Sequence, residues 1–138
     1  MFTENEMVLV RSSWAAVAED PDAAAALFYG RLFEAAPSVK PLFSSDMKEQ
    51  GRKLLQMIGI AVNNMDRIES IIPAVQDLGV RHVEYGAEAE HYPVVGAVLL
   101  DTLATALGDA FTDDTRAAWA KTYGALATVM TDAAAKVA

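Results

Sequence analysis

The residues best suited to chemistry in this sequence are its two histidines, His82 and His91, because it contains no cysteine. Thiolate metal sites, disulfides and cysteine nucleophiles are therefore excluded. His82 lies on an apolar helical stripe with Val75 and Leu78, whereas His91 comes two residues before a proline. A histidine on an apolar face is either a core residue with a satisfied hydrogen bond or a ligand for iron or another cofactor. The pattern around His82 leaves both interpretations open.

Two polar side chains on other apolar stripes raise a similar question. Gln50 shares its stripe with Leu54, and a buried amide is costly unless its hydrogen bonds are satisfied. Tyr29 follows Phe28, and a buried phenol normally needs a partner for its hydroxyl. A bound polar ligand could satisfy both groups. Alternatively, Gln50 reaches solvent from the first turns of its helix and Tyr29 bonds to a backbone carbonyl.

Other kinds of site find less support in the sequence. Ser44, Ser45 and Asp46 do not form a nucleophilic motif, because no histidine is placed as a base and no strand precedes them. Glycine-rich phosphate loops are absent. A weak surface metal site remains an alternative to a solvated acidic corner, and its ligands would be Glu84, Glu88, Glu90 and His91.

The elements that must position these residues are helices. Apolar residues recur at helical spacing along almost the whole chain, and strict two-residue alternation bounded by turns is missing. We predict an all-α fold of six main helices with short corners and no internal repeat or linker, so that residues 1–138 form one domain. The expected helix starts are Thr3 with Glu6 as a capping box, Pro21, one of Ser44, Ser45 and Asp46, Pro73, Pro93, and Thr112 or Asp113.

The charge balance narrows the choice of partners. A formal net charge of -8 and a pI near 4.6 oppose binding to nucleic acid or to an anionic membrane surface. The N-terminal residues are acidic where a signal peptide would be basic, and no apolar run is expected to approach the length needed to cross a bilayer. We expect a soluble cytoplasmic protein.

Six separated strings of residues share their order and spacing with one protein family. The first half contains LFYGRLF at 27–33, PLF at 41–43 and QGRKL at 50–54. The second half contains IPAVQDLGVRH at 72–82, HYPVVG at 91–96 and WAKTYG at 119–124. Together they span essentially the whole chain, and the sequence resembles bacterial single-domain haemoglobins and the globin part of flavohaemoglobins. The resemblance implies a globin fold around a haem pocket.

The resemblance also implies roles for individual residues. His82 would be the proximal iron ligand of haem b, and the Leu78 carbonyl could accept the other ring N–H. Tyr29 and Gln50 would form a distal polar pair that stabilises a ligand carrying partial negative charge. The other residues assigned to the haem site are Phe43, which packs on the haem, Leu54 as an apolar gate, Lys53 and Arg81 as propionate partners or solvated bases, and Tyr92, Val95 and Tyr123.

The sequence departs from the family pattern in two respects. In flavohaemoglobins a tyrosine and a glutamate hydrogen-bond the proximal histidine; Tyr92 matches the tyrosine, but Ala134 stands where the glutamate is expected. We also expect no flavin or nicotinamide domain after the globin part, and therefore expect an external reductase to supply electrons.

The resemblance implies a protein, monomeric or homodimeric, that binds dioxygen and converts nitric oxide to nitrate with that reductase. Oxygen storage, transport or delivery and ligand scavenging are alternatives that would use the same Tyr29 and Gln50. A gas sensor is a third alternative, which would need an output domain or a partner.

Overall fold

Six long helices carry the fold in the computed structural model, which describes residues 2–43 and 46–137. They are α1 (Glu4–Val17), α2 (Pro21–Ala35), α3 (Met47–Asn63), α4 (Ile72–Glu84), α5 (His91–Leu107) and α6 (Asp113–Ala135). Short 3-10 helices at Pro37–Leu42, Met65–Ser70 and Gly108–Ala110 connect α2 to α3, α3 to α4 and α5 to α6. The predicted all-α fold of six main helices and short corner helices is confirmed over these ranges.

Local capping chemistry sets the starts of α1, α2, α3 and α6. Helices α4 and α5 begin without a side-chain cap, and α5 starts at His91, two residues before the predicted Pro93. The Thr3 hydroxyl accepts the Glu6 backbone N–H at 3.1 Å, and the Glu6 carboxylate accepts the Thr3 N–H at 2.7 Å, as the capping box predicts. Of the three predicted caps for α3, Asp46 is used and accepts the Lys48 N–H at 3.0 Å. The other two candidates, residues 44 and 45, lie outside the described residues. Thr112, not its neighbour, caps α6.

The core lies where α1, α2, α5 and α6 meet. Trp119 of α6 is 1% exposed, and its ring lies 5.9 Å from the ring of Trp14 of α1. The Trp119 indole N–H donates to the Ser13 hydroxyl at 2.8 Å, so this buried polar group is satisfied. Leu103 of α5 and Phe28 of α2 are buried in the same cluster. This core fixes α2 and α5, which carry residues of the candidate site.

The segment of α5 and the turn after it, residues 91–110, is long and apolar enough to cross a membrane by length and composition. The expectation that no apolar run approaches this length is therefore wrong. The helix contacts α2 and α6, and Val98, Leu99 and Leu103 are buried in the core. A helix with a core role needs apolar residues on its inward face, and here small apolar residues such as Ala97 also occupy the outer face.

Candidate functional site

His82 lies in the last turns of α4 and is partly buried. Its Nδ1 lies 2.8 Å from the Leu78 carbonyl oxygen, and because a carbonyl can only accept, Nδ1 carries the proton and donates. The Nε2 lone pair is then available for a metal. Burial lowers the pKa of His82, against the opposing effect of the Leu78 hydrogen bond, so the ring is a neutral imidazole at pH 7. A neutral imidazole nitrogen is one of the iron ligands that haem proteins use.

Two tyrosine rings lie next to His82. The ring of Tyr92, at the start of α5, is centred 6.4 Å from the imidazole, and the ring of Tyr85 is centred 5.6 Å from it. The family resemblance led us to expect a hydrogen bond between Tyr92 and His82. In the structure the Leu78 carbonyl oxygen accepts the proton of His82 Nδ1. Tyr85 was missed, although a residue three positions after His82 on a helix lies on the same side of it.

Tyr123 of α6 holds the start of α5 in place. Its hydroxyl donates to the Tyr92 carbonyl oxygen at 2.7 Å. Its ring covers Gly96, where a Cβ atom would come 2.7 Å from a ring carbon, so only glycine permits this contact. Burial, with a smaller contribution from Tyr92, raises the pKa of Tyr123, which keeps the phenol protonated as a donor. Through this bond Tyr123 positions Tyr92. Val95 packs against the main core, and Ala134 is partly buried near the end of α6.

Tyr29 of α2 lies in a cluster of aromatic rings and is 9% exposed. Its ring is centred 5.1 Å from Phe28, 6.0 Å from Phe33 and 5.4 Å from Phe43. Burial raises the pKa of Tyr29 to about 12, so its hydroxyl is a hydrogen-bond donor throughout the physiological range. Phe43 thus lies beside the predicted distal tyrosine, and its contact with a haem stays a prediction.

The structure brings the Tyr29 hydroxyl close to the main chain of Gln50, and the role of these two residues as a distal pair stays a prediction. The contact is between the Tyr29 hydroxyl and the main-chain oxygen of Gln50, at 3.4 Å, which matches the alternative of a backbone partner for Tyr29. This distance is at the long end of the hydrogen-bond range. A better acceptor placed nearby could therefore compete for the hydroxyl proton.

A close crossing of α2 and α3 explains this approach. A Cβ atom at Gly51 would lie 2.6 Å from the Cβ of Ala25, so the crossing requires glycine. Because Gly51 follows Gln50 directly, the crossing places the Gln50 backbone beside α2. Gln50 and Gly51 belong to the string QGRKL that resembles the family. The sequence alone does not show that Ala25 lies opposite Gly51.

The two predicted basic partners of haem propionates lie on the surface. Lys53 lines an open cavity of about 420 Å³ along the exposed side of α3, among other charged side chains. Arg81 is exposed and pairs with Asp77 at 3.0 Å, one turn earlier on α4. Both arrangements correspond to the alternative of solvated bases. Their predicted contact with propionates stays a prediction.

The apolar faces of α3 and α4 fit a large flat apolar group. Both helices have a marked apolar stripe, yet the apolar residues Leu54 and Met57 of α3 and Leu78 and Val83 of α4 are only partly buried by the rest of the chain. A porphyrin needs such apolar side chains on its faces and an imidazole nitrogen for its iron. His82 meets the second requirement. The residues present therefore fit haem.

A family model for globins matches residues 26–130 of the chain, more than two thirds of its length. The chain belongs to the globin family. Membership of this family implies that the protein binds haem, in agreement with the imidazole and the apolar faces described above. The expected globin fold is confirmed.

Similar proteins place this globin among bacterial relatives. It is 32% identical over 133 residues to a flavohemoprotein of Rhizobium meliloti and 32% identical over 130 residues to a flavohemoprotein of Bacillus subtilis. These matches cover 94% and 92% of the chain, but the globin spans about a third of each relative, 33% in both cases. The resemblance to the globin part of flavohaemoglobins is therefore confirmed.

Two solved structures have the same fold as this globin. A bacterial globin from Campylobacter jejuni superposes with a TM-score of 0.85 at 28% identity, covering 98% of both chains. An engineered carbene transferase from Rhodothermus marinus, which carries the designation nitric oxide dioxygenase, superposes with a TM-score of 0.88 at 28% identity. That match covers 99% of this globin and 96% of the other chain.

Gly79, one turn before His82, determines how closely α4 of this globin approaches α6. A Cβ atom there would lie 2.8 Å from the Met130 Cα and closer still to the Met130 carbonyl oxygen. Backbone atoms cannot swing aside, so we expect Gly79→Ala to lower the free energy of unfolding by about 1–3 kcal/mol.

Thermal unfolding followed by circular dichroism measures this effect. The control is Gly124→Ala in α6, where an added Cβ meets nothing within 4 Å and helix propensity should raise stability by about 0.5–1 kcal/mol. A Gly79→Ala protein as stable as the wild type would contradict the prediction.

Proposed function

We propose that this globin binds haem b and dioxygen and, with an external reductase, converts nitric oxide to nitrate. The observation that carries the proposal is the Tyr29 hydroxyl, a protonated donor held by aromatic rings beside Gln50. The flavohemoprotein relatives and the Rhodothermus protein designated a nitric oxide dioxygenase support the choice of reaction.

The type of haem follows from the side chains that the sequence contains. Covalent attachment of haem through thioether bonds needs cysteines in a C-x-x-C-H motif, and this sequence has no cysteine. Cysteine thiolate is also excluded as an axial ligand. Non-covalent haem b held through His82 Nε2 is the form that these residues support.

Bound haem would supply the iron at which the diatomic ligand binds and which gives up one electron in the reaction. The chain would supply orientation and polarity: His82, oriented by Leu78, would hold the iron through Nε2. The Tyr29 hydroxyl would turn from the Gln50 carbonyl to a ligand that carries partial negative charge. The partly buried apolar side chains of α3 and α4 would limit access of water to the site.

The overall reaction balances with one external electron. One nitric oxide, one dioxygen and one electron give one nitrate, and no proton is consumed. Continued turnover would therefore need a reductase that supplies one electron each time.

Rapid mixing tests the reaction. The oxygenated ferrous protein is mixed with nitric oxide in stopped flow, the absorption spectrum is followed, and nitrate is measured at the end. We expect ferric protein and one nitrate per haem, formed during mixing or shortly after mixing ends. A slow reaction, or nitrite as the main product, would remove the proposal.

Oxygen storage, delivery or scavenging is a second candidate. It is favoured by the neutral carbonyl that holds His82 Nδ1, because a neutral proximal imidazole donates less electron density to the iron than a ligand paired with a carboxylate. The rate of oxygen release discriminates: release too slow for delivery would exclude that role, and rapid nitrate formation would favour the first candidate.

A further inference from the structure

A cleft opens between α2 and the first turn of α3. Its volume is about 430 Å³, and it lies against Tyr29 and Phe33 of α2 and Met47 of α3. A diatomic gas is similar in size to water, whose share of liquid volume is roughly 30 Å³. The cleft is therefore large enough to admit such a molecule in any orientation.

The wall that α2 contributes to this cleft is made of small residues. Ala25, Ala26 and Gly30 line it, and a Cβ atom added at Gly30 would meet nothing within 4 Å. Ala25 is also the residue that makes close contact with Gly51 where the two helices cross. The cleft therefore lies beside this crossing, and it is open because the residues of α2 that line it there are small.

Aromatic rings connect the cleft with the candidate site. Tyr29 and Phe33 line the cleft, and the same two rings contact Phe43, with centroids 5.4 Å and 5.5 Å from it. Tyr29 and Phe33 are also stacked on each other at 6.0 Å. The rings form a partition between the cleft and Phe43. Phe33 is only partly buried, so its side chain has more freedom to turn than that of Tyr29.

The lining selects for small uncharged molecules. Its charged members, Asp22 and Lys48, are exposed to solvent, whereas Tyr29, Ala25 and the partly buried Phe33 offer mainly carbon atoms. Moving an uncharged diatomic molecule from water into such surroundings costs little free energy. Moving an ion or a polar molecule costs much more.

We propose that this cleft is the route by which uncharged diatomic gases reach the Tyr29 side of the haem site, and that the Phe33 ring is its gate. The proposal rests on the proposed haem site. A gate changes the rates of association and dissociation by the same factor, because both directions cross the same barrier. The dissociation constant is then unchanged, whereas a residue that bonds to the ligand changes it.

Carbon monoxide kinetics on the haem-loaded ferrous protein tests the route. Association is measured after flash photolysis and dissociation by ligand replacement, in the wild type and in Gly30→Leu and Ala26→Leu, which fill the cleft. We expect both rates to fall by about tenfold, the effect of a barrier raised by about 1.4 kcal/mol, with an unchanged dissociation constant. Phe33→Ala is expected to raise both rates.

The matched control is Gly124→Leu, another helical glycine with open space around an added Cβ. Rates in Gly30→Leu and Ala26→Leu equal to those of the control would overturn the route, and so would a changed dissociation constant with an unchanged association rate. Failure of the wild-type protein to bind haem would instead show in its absorption spectrum before any kinetics, and would overturn the proposed function itself.

Discussion

Replacing His82 by alanine is expected to abolish tight haem binding. Removal of an outer-shell partner of a metal ligand typically weakens metal binding by about 10–100-fold, and loss of the ligand itself should cost more. Only the apolar contacts with α3 and α4 would then hold the porphyrin, because the bond from His82 to the iron would be missing. Titration of haemin into the haem-free protein, followed by absorbance and by quenching of the two tryptophans, measures the affinity.

The other histidine is the matched control. His91 Nδ1 accepts the Glu88 backbone N–H at 3.0 Å, which places the ring proton of the neutral form on Nε2. We expect His91→Ala to bind haemin like the wild type. In His82→Gly, added imidazole should restore the spectrum of a histidine-ligated haem. An unchanged spectrum and affinity in His82→Ala would show that another side chain holds the iron.

Tyr29→Phe is expected to accelerate oxygen release by about 10–100-fold, because a hydrogen bond to a charged partner contributes about 1.5–3 kcal/mol. The aromatic packing with Phe28 and Phe43 remains, so the fold should be little affected. The Tyr29 contact with the Gln50 carbonyl is long and should add little to stability. Oxygen dissociation in stopped flow measures the effect.

Two comparisons separate hydrogen bonding from packing. Carbon monoxide acquires less charge on binding than dioxygen does, so its release from Tyr29→Phe should change much less. Tyr85→Phe is the control, because it also removes a tyrosine hydroxyl. Tyr85 is 55% exposed, and its ring contacts His82 and not Tyr29. Equal oxygen release from wild type and Tyr29→Phe would mean that the hydroxyl stays on the Gln50 carbonyl. An equal change for both gases would indicate a steric effect.

The fold was largely predictable from sequence because its determinants are local. The box at Thr3 and Glu6 and the cap of α6 each involve groups within one helical turn. The choice of Asp46 for α3 could not be made in advance, because three neighbouring residues could cap that helix equally well. The expectation that no apolar run is long enough to cross a membrane was wrong for α5, because apolar residues face outward as well as inward on that helix.

The candidate site was predictable to a smaller extent. The bond from His82 to Leu78 was expected, and it is present because the two residues are one turn apart on α4. For Tyr29 the residue type showed only that its hydroxyl needs a partner. The structure supplies the Gln50 carbonyl, and this depends on how closely α2 and α3 cross at Gly51.

By itself the sequence determined the helices, the capping box of α1 and the orientation of His82 within α4, because these depend on groups within about four residues of one another. Only the tertiary structure decided the partner of Tyr29, the cleft beside Phe33 and the contact of Gly79 with Met130. Each of these depends on the distance between two helix axes. That distance is set by which small residues face each other, and a single helix does not reveal what lies opposite its glycines.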